Sequence, residues 1–220
     1  MTPPAIAPAF ATLGDSAILT TLGDSVSRGV NRSVHACAAA VRDARLPGVL
    51  DVVPAYTSFA VHYDPCAATA DELVATLRAI VTSALSDEPF SGESRIVTIP
   101  VRYDGPDLQA VADATGLSVE NVIARHSSAE YFVYMMGFAP GFAYLGELDP
   151  ALHLPRREAP RTRVPRGAVA IAGAQTAVYP LETPGGWHLI GSTDLSMFDA
   201  RRDPPSLLRA GDRVRFEPVT

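Results

Sequence analysis

The stretch HSSAEYFVYMMGFAPGFAYL, residues 126–145, runs from a histidine into an apolar, aromatic segment and then breaks that segment with Gly137, Pro140 and Gly141. A strand that needed only to be buried would not carry this punctuation. Glycine lets another backbone or a ligand approach closely, and proline stiffens the turn around it. Phe138, Phe142 and Tyr144 on such a turn form a wall for a small molecule or a partner protein. A second dense block follows, AGAQTAVYP at 172–180 and TPGGWHLIG at 183–191. After Ala129 the chain reads as short strands separated by Gly and Pro with little helix, a pattern that suits a β-barrel or sandwich.

Upstream, residues 8–21 read as two short strands about a turn at Gly14-Asp15. Asp24 or Ser25 is expected to cap a helix in which Val26, Val30, Val34, Ala38 and Val41 recur at helical spacing, stopping near Pro47-Gly48. Strands at 49–53 and 58–63 follow. Thr69 with Glu72 then makes a capping box before a helix carrying Leu73, Leu77, Ile80 and Val81 on one face. This mixture predicts a small α+β domain over 1–90, with helices on one face of a mainly antiparallel sheet. The polar segment 86–94, containing Pro89 and Gly92, reads as a linker. The domain over 95–220 opens with an alternating strand at 95–102. Short helices near 107–115, ended by Gly116, and near 119–125, capped by Ser118, precede the run of strands.

With 220 residues, 47% hydrophobic and 19% charged, the chain is that of a folded protein rather than a disordered one. A net charge of -6 argues against a nucleic-acid partner, which clustered positive charge would recognise. All 18 basic residues are arginine. This excludes a Walker A lysine and any Schiff-base lysine. Cys37 and Cys66 read as buried, reduced thiols. Met1–Phe10 lacks the pattern of a signal peptide, and no stretch approaches a membrane-spanning length, so a cytoplasmic protein without a membrane partner is expected. There is no His-x-x-x-His or Cys-x-x-Cys ligand set, no Gly-x-Ser-x-Gly elbow and no phosphate loop opening a helix, so no metal site is expected. The chain does not read as a complete ATP enzyme.

The segment Gly137-Phe138-Ala139-Pro140-Gly141-Phe142-Ala143-Tyr144-Leu145 resembles the GFxPGFxYL motif of the 5-oxoprolinase B-subunit family, also known as PxpB, KipI or allophanate hydrolase subunit 1-like. Further matches follow in order: Pro155-Arg156-Arg157, Pro160-Arg161, Val164-Pro165, Ile171-Ala172-Gly173 with Gln175-Thr176, Tyr179-Pro180-Leu181, Pro184-Gly185-Gly186-Trp187, Leu189-Ile190-Gly191 and Gly211–Phe216. Gly14–Ala17 adds an early match. The resemblance implies a cyclophilin-like β-barrel, carboxyltransferase subdomain C/D-like, behind the α+β domain. It also implies a subunit of ATP-dependent 5-oxoprolinase, inactive without its partners. With subunits C and A it would open 5-oxo-L-proline to L-glutamate while ATP becomes ADP and phosphate. ATP would enter as co-substrate, with Mg2+ at a shared site, and no tightly bound cofactor is implied. Two other readings stay open: a KipI-like inhibitor that binds a sensor histidine kinase, and a carboxyltransferase or allophanate hydrolase-like subunit.

Within this reading the expected catalytic residues are His126, Arg157 and Arg161. His126 titrates in a range suited to moving a proton, although a histidine ending a helix can simply bond the last carbonyls. Arg156, Arg157, Arg161, Arg163 and Arg166 form a basic run, and Arg157 and Arg161 fall on motif positions suited to developing phosphate charge. The expected substrate-binding residues are Phe138, Pro140, Gly141, Phe142, Tyr144, Gln175, Thr176, Tyr179, Gly186 and Trp187. Gln175 and Thr176 would orient the lactam, and the aromatic residues would exclude water. His188 stands where several relatives carry Gln and is given no chemistry.

Overall fold

The computed structural model describes residues 7–86 and 95–220. The chain divides between residues 93 and 94 into two compact units. The linker expected at 86–94 lies, apart from Ser86, outside the described residues.

In the first unit, β1 (Ala9–Thr12) and β2 (Ala17–Thr21) flank a turn at Gly14, whose φ of 69° is the left-handed conformation that glycine adopts without strain. They are followed by α1 (Arg28–Asp43), β3 (Val49–Pro54), β4 (Ser58–Tyr63) and α2 (Ala70–Ser86). The strands form one antiparallel sheet in the order β1-β2-β4-β3. Ile18, Phe59 and Val61 from the sheet share a core with Val34 and Val41 of α1 and Leu77 and Val81 of α2. The cap of α1 is Ser27, not Asp24 or Ser25. Its extended backbone lets the Ser27 hydroxyl accept the Val30 amide at 3.2 Å, which leaves Val26 outside the helix and exposed. The capping box before α2 is present: the Glu72 carboxylate accepts the Thr69 amide and hydroxyl at 3.2 and 2.6 Å. Cys37 is buried, and burial pushes its thiol pKa up to about 11. Cys66, expected to be buried, is exposed because it sits in the turn after β4, with its amide bonded to the Asp64 carboxylate at 2.9 Å.

The second unit contains β5 (Ile96–Val101), α3 (Leu108–Thr115), α4 (Val119–Ser128), β6 (Glu130–Met136), β7 (Ala143–Gly146), β8 (Arg161–Val164), β9 (Ala168–Ala172), β10 (Gln175–Val178), β11 (Thr183–Gly185), β12 (His188–Ser192) and β13 (Arg213–Pro218). Gly116 ends α3 in the left-handed region, and the Ser118 hydroxyl caps α4 by accepting the Asn121 amide at 3.2 Å. Because α4 continues to Ser128, His126 lies in its last turn rather than beyond it.

Seven strands form a mixed sheet in the order β12-β9-β10-β7-β6-β13-β5, with only β5 and β13 parallel. Its two edges meet: the Arg102 amide donates to the Ser192 carbonyl at 2.9 Å, and the Ser192 amide returns the bond to Arg102 at 2.7 Å. A paired Arg102–Asp194 ion contact at 2.7 and 2.9 Å lies over this seam. The sheet is thereby nearly closed into a barrel. The chain has an α+β unit followed by a mainly-β, cyclophilin-like barrel.

Alternation along the strands divides the barrel's apolar residues into two groups. Val169 and Ile171 of β9 join Val178, Leu145, Val133, Ile99 and Phe216 in the interior. Ala168, Ala170 and Ala172 face outward and join Ala177, Tyr179, Phe142, Trp187 and Leu189. All five residues of β9 are therefore buried. The strand reads as a continuous apolar run because the outer face is also covered.

Candidate functional site

The outer face of β7, β9, β10 and β12 is covered by aromatic rings. Phe142 is the centre, with ring centroids 5.2 Å from Phe138, 4.9 Å from Tyr144, 5.5 Å from Tyr179 and 5.9 Å from Trp187, all edge-to-face. That geometry places the electropositive ring edge against a neighbouring π face. The loop 137–142 presents Phe138. The Gly137 amide donates to the Phe142 carbonyl at 3.1 Å, and Phe142 donates to Ala139 at 2.9 Å. Phe138 itself holds a φ of 68° and is 61% exposed. A left-handed non-glycine residue costs about 1–2 kcal/mol, so an exposed aromatic is kept at the rim against a local conformational preference. Pro140 is exposed beside it, whereas Gly141 has a packing role. A Cβ there would lie 2.7 Å from that of Phe198. Gly185 is as constrained, since a Cβ would collide with the Tyr179 hydroxyl.

The arginine pair adjoins this wall. The Arg157 amide donates to the Gly186 carbonyl at 2.8 Å, and Arg161 pairs across β8–β11 with Gly185. Both guanidinium groups converge on one carboxylate oxygen, Asp107 Oδ1, from Arg157 Nη1 at 3.0 Å and Arg161 Nη2 at 2.7 Å. Asp107 Oδ2 accepts the Leu189 amide at 2.7 Å. Burial would raise the Asp107 pKa, but the Arg161 and Leu189 hydrogen bonds and the two arginine charges hold it below the usual carboxylate range. Arg157 Nε and Arg161 Nη1 are buried without a hydrogen-bond partner among the described residues. The rest of each guanidinium is more open, the Arg157 and Arg161 side chains being 33% and 23% exposed, and this exposed part is suited to the oxygens of an anionic ligand.

His126 and Thr176 lie elsewhere, inside the barrel, and both are fully buried. The Thr176 hydroxyl donates to the Ala170 carbonyl at 3.1 Å, so it accepts from His126 Nε2 at 2.9 Å. His126 Nδ1 must then accept the Tyr103 hydroxyl at 2.8 Å. Both ring nitrogens are used, the imidazole stacks on Phe216 at 4.6 Å, and burial pushes its pKa down to about 3. The ring is neutral at ordinary pH. Gln175, one residue before Thr176, falls on the opposite face with Ala177 and Tyr179 by the two-residue strand period.

The structure thus brings Phe138, Phe142, Tyr144, Tyr179, Gly186, Trp187, Arg157 and Arg161 together, with Gln175 on the same outer face, and separates His126 and Thr176 from them. Sequence reading missed Asp107 and Tyr103. An aspartate opening α3 reads as a helix cap, yet its side chain makes no capping bond. Tyr103 carried no local signal at all. Among the described residues, no cluster of His, Cys, Asp and Glu could hold a metal ion, and no helix is long and apolar enough to cross a membrane.

These features define a protein of the carboxyltransferase-domain class, subdomains C and D, whose family matches residues 8–208. The fold alone is shared with the Kluyveromyces lactis urea amidolyase structure at 22% identity and a TM-score of 0.82, covering 100% of this chain and 15% of that one. Within the class, the chain is 43% identical over 217 residues to the 5-oxoprolinase B subunit of Bacillus subtilis (strain 168), covering 93% of this chain and 90% of the relative. The chain belongs to the 5-oxoprolinase B-subunit family. The solved structure of TTHA0988 is 45% identical with a TM-score of 0.82, and the match covers 93% of this chain but 40% of the TTHA0988 chain.

Proposed function

We propose that this chain is the B subunit of an ATP-dependent 5-oxoprolinase, a hydrolase acting on a cyclic amide, and that it works with subunits C and A. The observation that carries this reading is the partly exposed Arg157–Arg161 pair placed directly beside an aromatic wall. A five-membered lactam is a stable amide and a poor target for water. Transfer of the ATP γ-phosphoryl group to its carbonyl oxygen releases ADP and converts that oxygen into part of a leaving group. The arginines would balance phosphate charge as it develops, where preorganised donors contribute most. Phe138, Phe142, Tyr144 and Trp187 would exclude water and hold apolar parts of the ligands, and Gln175 would orient the lactam. Mg2+ would arrive with the nucleotide phosphates.

His126 and Thr176 take a different part in this proposal from the one expected of them. With both imidazole nitrogens bonded inside the barrel, they organise β10, which carries Gln175 and leads into Tyr179, and touch no substrate. The test is 5-oxoproline-dependent phosphate release by this chain alone, by purified subunits A and C, and by all three together. Activity confined to the full mixture is expected. No activity from verified, folded subunits would overturn the proposal and turn attention to binding of a sensor histidine kinase.

A further inference from the structure

We propose that Asp107 is a positioning residue that makes Arg157 and Arg161 act as one anion-handling pair; this rests on the assignment of those arginines to phosphate charge. Asp107 occupies the residue before α3, where an aspartate ordinarily accepts an amide from the helix's first turn. Here the backbone stands at φ -102° and ψ -1°, and the side chain makes no such bond. Helix stability therefore does not account for this carboxylate. Its oxygens are given instead to Arg157, Arg161 and the Leu189 amide, and the side chain is only 5% exposed.

The electrostatics explain the arrangement. Two guanidinium groups that share one oxygen sit within a few ångströms of each other and repel. One buried carboxylate offsets a single charge, so the group retains a net positive charge for an incoming anion. Arg157 and Arg161 remain 33% and 23% exposed, so the pair is held from behind while still reaching solvent. Because Oδ2 is fixed by Leu189 on β12, the arginines on the segment between β7 and β8 and at the start of β8 are referenced to the barrel wall and not to their own loop. Long, rotamer-rich side chains are thereby ordered before a ligand arrives, which is the condition for catalysis by preorganised charge.

The test uses Asp107→Asn in the assembled three-subunit complex, and phenylglyoxal modification of the isolated chain read by peptide mass spectrometry. The expected result is a fall in kcat for 5-oxoproline-dependent phosphate release of about 10–100-fold, with KM for 5-oxoproline within about threefold. In the isolated chain, Arg157 and Arg161 should be modified faster than in the wild type. A folded variant with a lower Tm but wild-type kcat and unchanged modification rates would show a merely structural role and overturn the proposal. If Asp107→Asn does not fold, Asp107→Glu carries the test, since an added methylene displaces the carboxylate. It should also lower kcat and speed modification, and wild-type values for both would overturn the proposal. An inactive wild-type complex would overturn the oxoprolinase reading and Asp107's catalytic consequence together. The modification rates would then separately decide whether Asp107 holds the arginines.

Discussion

The interior and the outer face of the barrel are built from the same strands but handle polar groups in opposite ways. Inside, His126, Tyr103 and Thr176 form a chain of hydrogen bonds in which each imidazole nitrogen has one partner and no charge is present. Outside, Asp107, Arg157 and Arg161 keep three charges together and leave two donors unpaired among the described residues. A buried network is stable when every member is satisfied and neutral. A site that must bind an anion needs the reverse: residual charge that still reaches solvent, as the partly exposed Arg157 and Arg161 side chains do. Burial of a titratable residue is therefore no guide to reactivity until its partners are counted.

The severest challenge to this contrast comes from inside. His126→Ala would remove the ring between Tyr103 and Thr176, open a cavity against Phe216 and strand the Tyr103 hydroxyl. A loss of about 3–5 kcal/mol in unfolding free energy is expected from chemical denaturation. A loss below about 1 kcal/mol would show that the network is not a structural keystone. The same residue predicts a pH dependence. Its folded pKa of about 3 lies below the ordinary 6.5, so the unfolded chain takes up a proton that the native protein refuses. Its contribution to stability is complete above about 6.5 and falls progressively as pH drops towards about 3. Denaturation curves across this window should show a shallower pH slope for His126→Gln than for the wild type.

On the outer face the expected effects are smaller. Gly185→Ala places a methyl against the Tyr179 hydroxyl and should cost about 1–3 kcal/mol, with a change in Trp187 fluorescence as the wall shifts. An unchanged spectrum would mean that Tyr179 and Trp187 are not packed as one unit. Phe138→Ala should change stability by less than about 0.5 kcal/mol because the side chain is exposed. The same substitution should lower 5-oxoproline-dependent activity in the assembled complex. Equal activity would remove Phe138 from the functional face.

Much of this site was legible along the chain because its signals are local. The glycines and proline of 137–141 marked the exposed turn, and Tyr179 and Trp187 beside Gly185-Gly186 marked the aromatic wall. What stayed hidden was long-range. Asp107 meets its arginines 50 and 54 residues away, and His126 meets Tyr103 and Thr176 across 23 and 50 residues. Gln175 and Thr176 read as one polar pair in sequence. The strand period sends one to the outer face and the other into the barrel.

Local chemistry thus set the helices, the capping box before α2, the punctuated aromatic turn and the order of an α+β unit before a run of short strands. Backbone conformational preference and hydrophobic spacing act over a few residues, so a single chain displays them. Closure of the sheet at Arg102 and Ser192, the neutral state of His126 and the convergence of two arginines on Asp107 came from folding. Each depends on which distant groups share a low-dielectric space, and that is settled when the strands come together.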